Sequence, residues 1–153
     1  MAALNRPFRA SYALSGLERE RVFAALLDVP RFTEWSHGLE RVRMLNSAEV
    51  RPGCALEFVL SAGGLTHRVV GTVTAVEPPR RLEWHYTEGA TGSGGWLVEE
   101  SGPGAVRLTL LTNYEIRPAW LNAIAHRPFF RRATEELLRR SIRSFERHLK
   151  SQP

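Results

Sequence analysis

The chain has 153 residues, 43% hydrophobic and 24% charged, the proportions of one ordinary globular domain large enough to bury a core. Its formal charge is +5, and its one cysteine, Cys54, excludes an internal disulfide and any multi-cysteine metal site. No stretch approaches the ~18 apolar residues of a membrane helix, and Met1 to Ala10 lacks the apolar core of a signal peptide. A cytoplasmic protein with a single domain, 1–153, is expected.

Phe8 to Leu14 reads as a first strand, with Phe8, Ala10 and Tyr12 on one side. Ser15-Gly-Leu-Glu18 has capping-box spacing, which would let Glu18 reach back to the Ser15 amide at a helix start. Val22, Phe23, Leu26 and Leu27 form the apolar stripe of that helix, and Pro30 ends it and opens a further turn through Trp35. From Leu39 the apolar period becomes two. Val42 and Met44 alternate with Arg41 and Arg43; after the turn at Pro52-Gly53 come Cys54, Leu56, Phe58 and Leu60. Gly63-Gly64 fits a hairpin. Leu65, His67, Val69, Gly71, Val73 and Ala75 then continue to Pro78-Pro79. Leu82, Trp84 and Tyr86 precede a segment read as a loop, Gly89 to Gly95, after which Trp96 and Val98 resume the pattern. Gly102-Pro103-Gly104 turns into Val106, Leu108, Leu110, Thr112 and Tyr114. Seven strands at hairpin-like spacing predict an antiparallel sheet.

Pro118 to Ala125 fits a short helix, and Pro128 either opens a separate long helix or kinks one continuous helix. From Pro128 to Leu149 the faces divide cleanly. At about 100° per residue, Phe130, Thr134, Leu137, Leu138, Ser141, Ile142, Phe145 and Leu149 share one arc. Arg132, Glu135, Glu136, Arg139, Arg140, Arg143, Glu146 and Arg147 share the other. A sheet followed by one long, one-sided helix implies a sheet wrapped around that helix.

This order of elements resembles the helix-grip fold of the SRPBCC (START-like) superfamily. The local matches are Phe23 to Trp35 (FAALLDVPRFTEW), Arg51-Pro-Gly-Cys-Ala-Leu, Val73 to Trp84 (VTAVEPPRRLEW) and Gly104-Ala-Val-Arg-Leu-Thr-Leu. Within the superfamily the chain is most similar to the polyketide cyclase/dehydrase and coenzyme-Q-binding group. The resemblance implies an α+β fold: a seven-stranded antiparallel sheet around a long C-terminal helix, with two short helices between strands 1 and 2. It also implies a hydrophobic cavity between sheet and helix, used in the superfamily for lipids, sterols, polyketides, quinones or plant hormones. A minority of members catalyse ring closure or aromatisation.

Side-chain parity puts Phe58, His67, Trp84, Tyr86, Trp96 and Tyr114 on the concave side with Phe130 and Leu137 of the helix. These aromatics either line a small-molecule site or fill the core. His67 lies in the apolar row of Leu65 and Val69. It either hydrogen-bonds a ligand carbonyl or acts as a general base, or is a core histidine satisfied by a neighbour. Tyr86 and Tyr114 are further candidates to donate to the same ligand oxygen or to move protons. Trp35 falls near the expected cavity mouth, as a gate or as a latch onto the sheet.

Thr91-Gly-Ser-Gly-Gly95 lacks the spacing and lysine of a phosphate loop, so a mobile loop beside the mouth is expected. His37, His85, His126 and His148 lack metal-ligand spacing, Cys54 has no triad context, and neither a metal nor a cofactor is expected. Three functions follow as expectations. The first is a carrier or sequestering protein for a hydrophobic ligand. The second is a cyclase/dehydratase-type enzyme in the same cavity. The third is a ribosome- or protein-interaction module docking through Arg132, Arg139, Arg140, Arg143 and Arg147.

Overall fold

The computed structural model describes residues 7–152. Strand β1 (Phe8–Ser15) is followed by helix α1 (Arg19–Leu27) and a 3-10 turn (Val29–Glu34). Strands β2 (Leu39–Met44), β3 (Ala55–Ala62), β4 (Leu65–Glu77), β5 (Arg81–Glu88), β6 (Ala90–Glu100) and β7 (Ala105–Ile116) then run consecutively. Helices α2 (Ala119–Ala125) and α3 (Pro128–Ser151) close the chain. All pairings are antiparallel, in the order β1-β7-β6-β5-β4-β3-β2. This is an α+β, helix-grip arrangement with two short helical segments between the first two strands.

Register explains why parity was readable. One cross-strand row runs Val76, Leu82, Trp96, Leu110, Ala10, and the next runs Val73, Trp84, Gly94, Thr112, Phe8. Both rows face the helix. One irregularity, opposite Val70/Gly71, inserts Thr87 into β5, and a second, between Val73 and Ala75, inserts Thr74 into β4; each bends its strand and tightens the twist. The second bulge corrects one sequence reading. It shifts the phase of the strand, so Val76, opposite Leu82, continues the inward row in place of Ala75.

Two further expectations are corrected. Ser15 does not cap α1, because it remains extended and paired with Ala105 at the end of β1. Its amide donates to Oε2 of Glu146 in α3 (3.2 Å), and the residue preceding α1 is Glu18 itself, without a side-chain cap. Gly89 to Gly95 is not a loop. Residues 90–95 are the first half of β6, paired with β7 throughout and with β5 from Ser93. At the other open point, α2 and α3 are separate helices, with Pro128 at the first turn of α3.

The core is asymmetric. Ile142, Phe145 and Leu149, in the C-terminal half of α3, are buried with Val22, Phe23 and Leu26 of α1 and with Leu14, Val98, Val106 and Leu108 of the sheet. Each such side chain contributes roughly 1.5–3 kcal/mol by leaving water. Trp35 packs on Phe145, with ring centroids 4.7 Å apart, and on Phe32 at 5.0 Å. The N-terminal half of α3 is less deeply buried, and its inner face looks over the concave sheet.

The convex face carries a charge cluster around Glu57, whose side chain is 2% exposed. Arg43 donates to it through Nε (2.9 Å) and Nη2 (3.2 Å), and Arg68 through Nε (2.6 Å). Arg41 lies 3.3 Å away, and Arg68 also reaches Glu88 at 2.8 Å. Hydrogen bonds from Arg43 and Arg68 lower the Glu57 carboxyl from 4.5 to about 2. Its folded pKa is depressed, so its stabilisation is present above the unfolded value and is lost as pH falls through the folded one. Urea unfolding should show Glu57→Gln destabilised at neutral pH. The gap to the wild type should narrow from about pH 4.5 downward and close near pH 2.

Candidate functional site

Between the concave sheet and the N-terminal half of α3 lies a cavity of about 400 Å³. Its wall includes all nine residues singled out from sequence: Trp35, Phe58, His67, Trp84, Tyr86, Trp96, Tyr114, Phe130 and Leu137. Phe8, Val69, Leu110, Thr112, Ile116, Leu121 and Ala125 complete much of the remainder. The surface is overwhelmingly apolar, and its volume lies at the small end of the range for small-molecule sites, ~300–1,000 Å³.

The glycines of β6 shape the floor. Gly94 faces Trp84 on one side and Thr112 on the other. A Cβ at Gly94 would stand 2.8 Å from the Trp84 ring, so the indole lies against bare backbone. Gly92 likewise presents no side chain where it pairs with Tyr114. Tyr86 on β5 can therefore reach across β6 to Thr112 on β7, with the two hydroxyl oxygens 2.7 Å apart. Phe130 is set by the β3–β4 hairpin, where Gly63 has φ +57° and would place a Cβ 2.4 Å from the ring.

Proton bookkeeping assigns several of the polar groups on this wall. The Thr112 hydroxyl donates to the Ser93 carbonyl (3.3 Å), which can only accept. Its single proton is thus used, and Tyr86 is the donor in the Tyr86–Thr112 bond. His67 Nε2 is 2.7 Å from the Gly89 carbonyl and must donate to it, leaving Nδ1 as an acceptor in the neutral ring. Thr134 and Ser141 turn back onto the helix carbonyls of Phe130 and Leu137, and Ser141 also accepts the His37 amide at 2.7 Å. Tyr114 is different. Its hydroxyl makes no hydrogen bond among the described residues. Burial raises its pKa, opposed by the Arg131 charge and reinforced by nearby Tyr86, so it stays a neutral donor.

Behind Tyr114 stands a pairing that no sequence signal announced. The His126 ring stacks on Tyr114 at a centroid distance of 5.2 Å. Arg131 donates to its Nδ1 (3.2 Å), and Nε2 is buried short of a well-formed hydrogen bond. Burial and the Arg131 charge lower its pKa, with the Tyr114 carbonyl and Glu115 opposing. Thr112 was also missed as a functional partner, although it shares the inward row of Tyr114. Trp35 is buried and holds α3 through Phe145. It is a latch onto the helix, where the sequence reading had it gating the mouth or latching onto the sheet.

A smaller hollow of about 210 Å³ shares Trp35 and is bounded by Arg21, Arg31, His148 and Gln152. There Arg21 donates to the carbonyls of Leu149 and Gln152, capping the C-terminal end of α3. On the outer face of α3, Arg139 and Arg140 pair with Glu136, and Arg143 pairs with Glu146. Three of the five arginines of the expected docking face are thereby paired with two of its own glutamates.

A curled antiparallel sheet gripping one long helix over an apolar cavity defines a START-like protein. The chain belongs to the polyketide cyclase/dehydrase and lipid transport family, whose model matches residues 15–151. Its fold is shared by the ZhuI aromatase/cyclase of Streptomyces sp. R1128, at 14% identity and TM-score 0.76 over 95% of this chain and 93% of that one. A START superfamily protein of Mycobacterium smegmatis aligns at 12% identity and TM-score 0.72, covering 95% and 97%. A Thermus thermophilus protein aligns at 17% identity and TM-score 0.77, covering 95% and 98%. No curated protein matches the sequence. No helix among the described residues is long and apolar enough to cross a membrane.

The two tyrosines should separate on mutation. Tyr86→Phe removes a made hydrogen bond and should cost about 1 kcal/mol in urea unfolding. Tyr114→Phe removes an unpartnered hydroxyl and should change stability by less than about 0.5 kcal/mol.

Proposed function

We propose that this protein binds an apolar small molecule bearing an oxygen acceptor in the sheet–helix cavity, and carries or sequesters it. One observation carries this reading: an apolar wall of ligand-sized volume in which a single phenol, Tyr114, has a proton not already given to the protein. Tyr114 would donate to the ligand oxygen, and Trp84, Trp96, Phe58 and Phe130 would supply the apolar contact. Trp35, His67, Tyr86 and Leu137 complete the proposed lining, His67 offering Nδ1 as an acceptor. The cavity size favours a few-ring or single-chain molecule. Family membership supports the same class of ligand.

A cyclase-type enzyme is the second reading, favoured by the fold shared with an aromatase/cyclase and by the proximity of Tyr86 and Tyr114. His67, Tyr86 and Tyr114 would be its catalytic candidates. Against proton transfer, the His67 Nε2 and Tyr86 protons are committed to Gly89 and Thr112. The Tyr114 pKa is raised, which removes it as a base at neutral pH.

Native mass spectrometry of freshly purified protein, with extraction of what denaturation releases, tests binding directly. A stoichiometric non-covalent adduct of an oxygen-bearing apolar molecule is expected. Leu110→Trp, which projects extra volume into the cavity, should abolish the adduct while leaving the thermal melt in place. Tyr114→Phe should weaken readdition of the extracted molecule by roughly five- to tenfold, the loss of one hydrogen bond. An adduct that persists unchanged in Leu110→Trp would place the ligand elsewhere. Conversion of the extracted molecule on incubation with the protein would favour the enzyme reading.

A further inference from the structure

Between Glu115 and Glu135 the chain has no acidic residue and four arginines, Arg117, Arg127, Arg131 and Arg132. The same stretch holds the two most exposed large apolar side chains among the described residues, Trp120 (63%) and Phe129 (67%). Each precedes a residue that lines the cavity: Leu121 in α2 and Phe130 in α3. Phe129 meets Phe130 edge-on with centroids 5.1 Å apart, so one aromatic contact links the outer surface to the cavity wall. Leu60 of β3 is both exposed and part of that wall. Isolated exposed apolar residues are ordinary. Here they adjoin residues of the cavity wall and lie in a stretch of chain with four arginines and no acidic residue.

We propose that this rim docks on an anionic phospholipid surface. Trp120 and Phe129 enter the interfacial layer, where amphipathic aromatic rings are favoured. Arg127 and Arg132 meet the lipid phosphates, which the guanidinium fork matches. Charge complementarity selects an anionic surface, and the exposed apolar pair beside the cavity wall selects a lipid one. On the outer face of α3, by contrast, Arg139, Arg140 and Arg143 are engaged by Glu136 and Glu146. The docking surface lies outside the cavity, so it stands independently of what the cavity holds.

Sedimentation of the full chain with vesicles of phosphatidylcholine, alone and mixed with phosphatidylserine, tests this. Binding to the mixed vesicles is expected, weakening as salt is raised. Arg127→Gln and Arg132→Gln should each reduce partitioning by roughly fivefold. Both lie at the start of α3, where losing a cation does not oppose the helix dipole. Trp120→Ser with Phe129→Ser should reduce partitioning at least tenfold, while circular dichroism and the thermal melt stay unchanged. Equal binding to both vesicles, or undiminished binding by the aromatic double variant, would overturn the proposal. So would absence of vesicle binding together with retention on single-stranded RNA, or with a dimer that the aromatic double variant dissolves.

Discussion

The cavity exists because α3 is packed into the core over its C-terminal half, while its N-terminal half meets the β3–β4 hairpin through Phe130 and stands off the sheet floor. Ile142, Phe145 and Leu149 are buried against α1 and the sheet, and Trp35 packs on Phe145 with its ring tilted by 56°. Arg21 closes that end by capping the last carbonyls, and the His37 amide donates to Ser141 midway along the helix. A helix is stiff, so fixing its C-terminal half also sets the height of the other half above the sheet. The N-terminal half cannot settle onto the floor without breaking those contacts. The same apolar arc thus does two jobs, core at one end and roof at the other.

The floor depends on a second constraint, the absence of side chains on β6. Glycine weakens a strand interior, since it has more backbone freedom to lose and nothing to pack. Here β6 is held by β7 through Glu100 and by β5 from Ser93, so the pairing offsets that weakness. The bare backbone then accepts Trp84 over Gly94 and lets Tyr86 reach Thr112. Larger residues there would drive the indole toward α3 and fill the space. The hydrogen bonds of Tyr86 and His67 to the protein fix both rings, so the polar edge of the cavity is rigid before any ligand arrives.

The sequence showed the strand faces because each strand has one buried side, and a period of two survives wherever hydrophobic side chains mark it. It failed where that marking stops. Thr91 to Gly95 carries no apolar alternation, so composition alone reads as a loop; only its partners on β5 and β7 make it a strand. The Ala75 error has a related cause, since a bulge shifts the phase without any residue announcing it. Ser15 had the right spacing for a cap but the wrong backbone, being held in β1. The aromatic wall was legible from parity. The commitments of its protons were not, because Tyr86 finds Thr112 26 residues away and His67 finds Gly89 22 residues away.

Those commitments bear on what kind of chemistry the cavity favours. A group that must move a proton has to exchange partners during the reaction, and His67 and Tyr86 are each bonded to groups that never leave. Tyr114 is free to donate but, with its pKa raised by burial, is poorly suited to accept charge. Such a set orients a ligand oxygen well and activates a bond weakly. Acceleration in a site of this kind would have to come from holding a reactive chain in a folded, near-attack shape. The anchored roof and bare-backbone floor provide shape, which is why binding is the primary reading and any turnover would be a consequence of it.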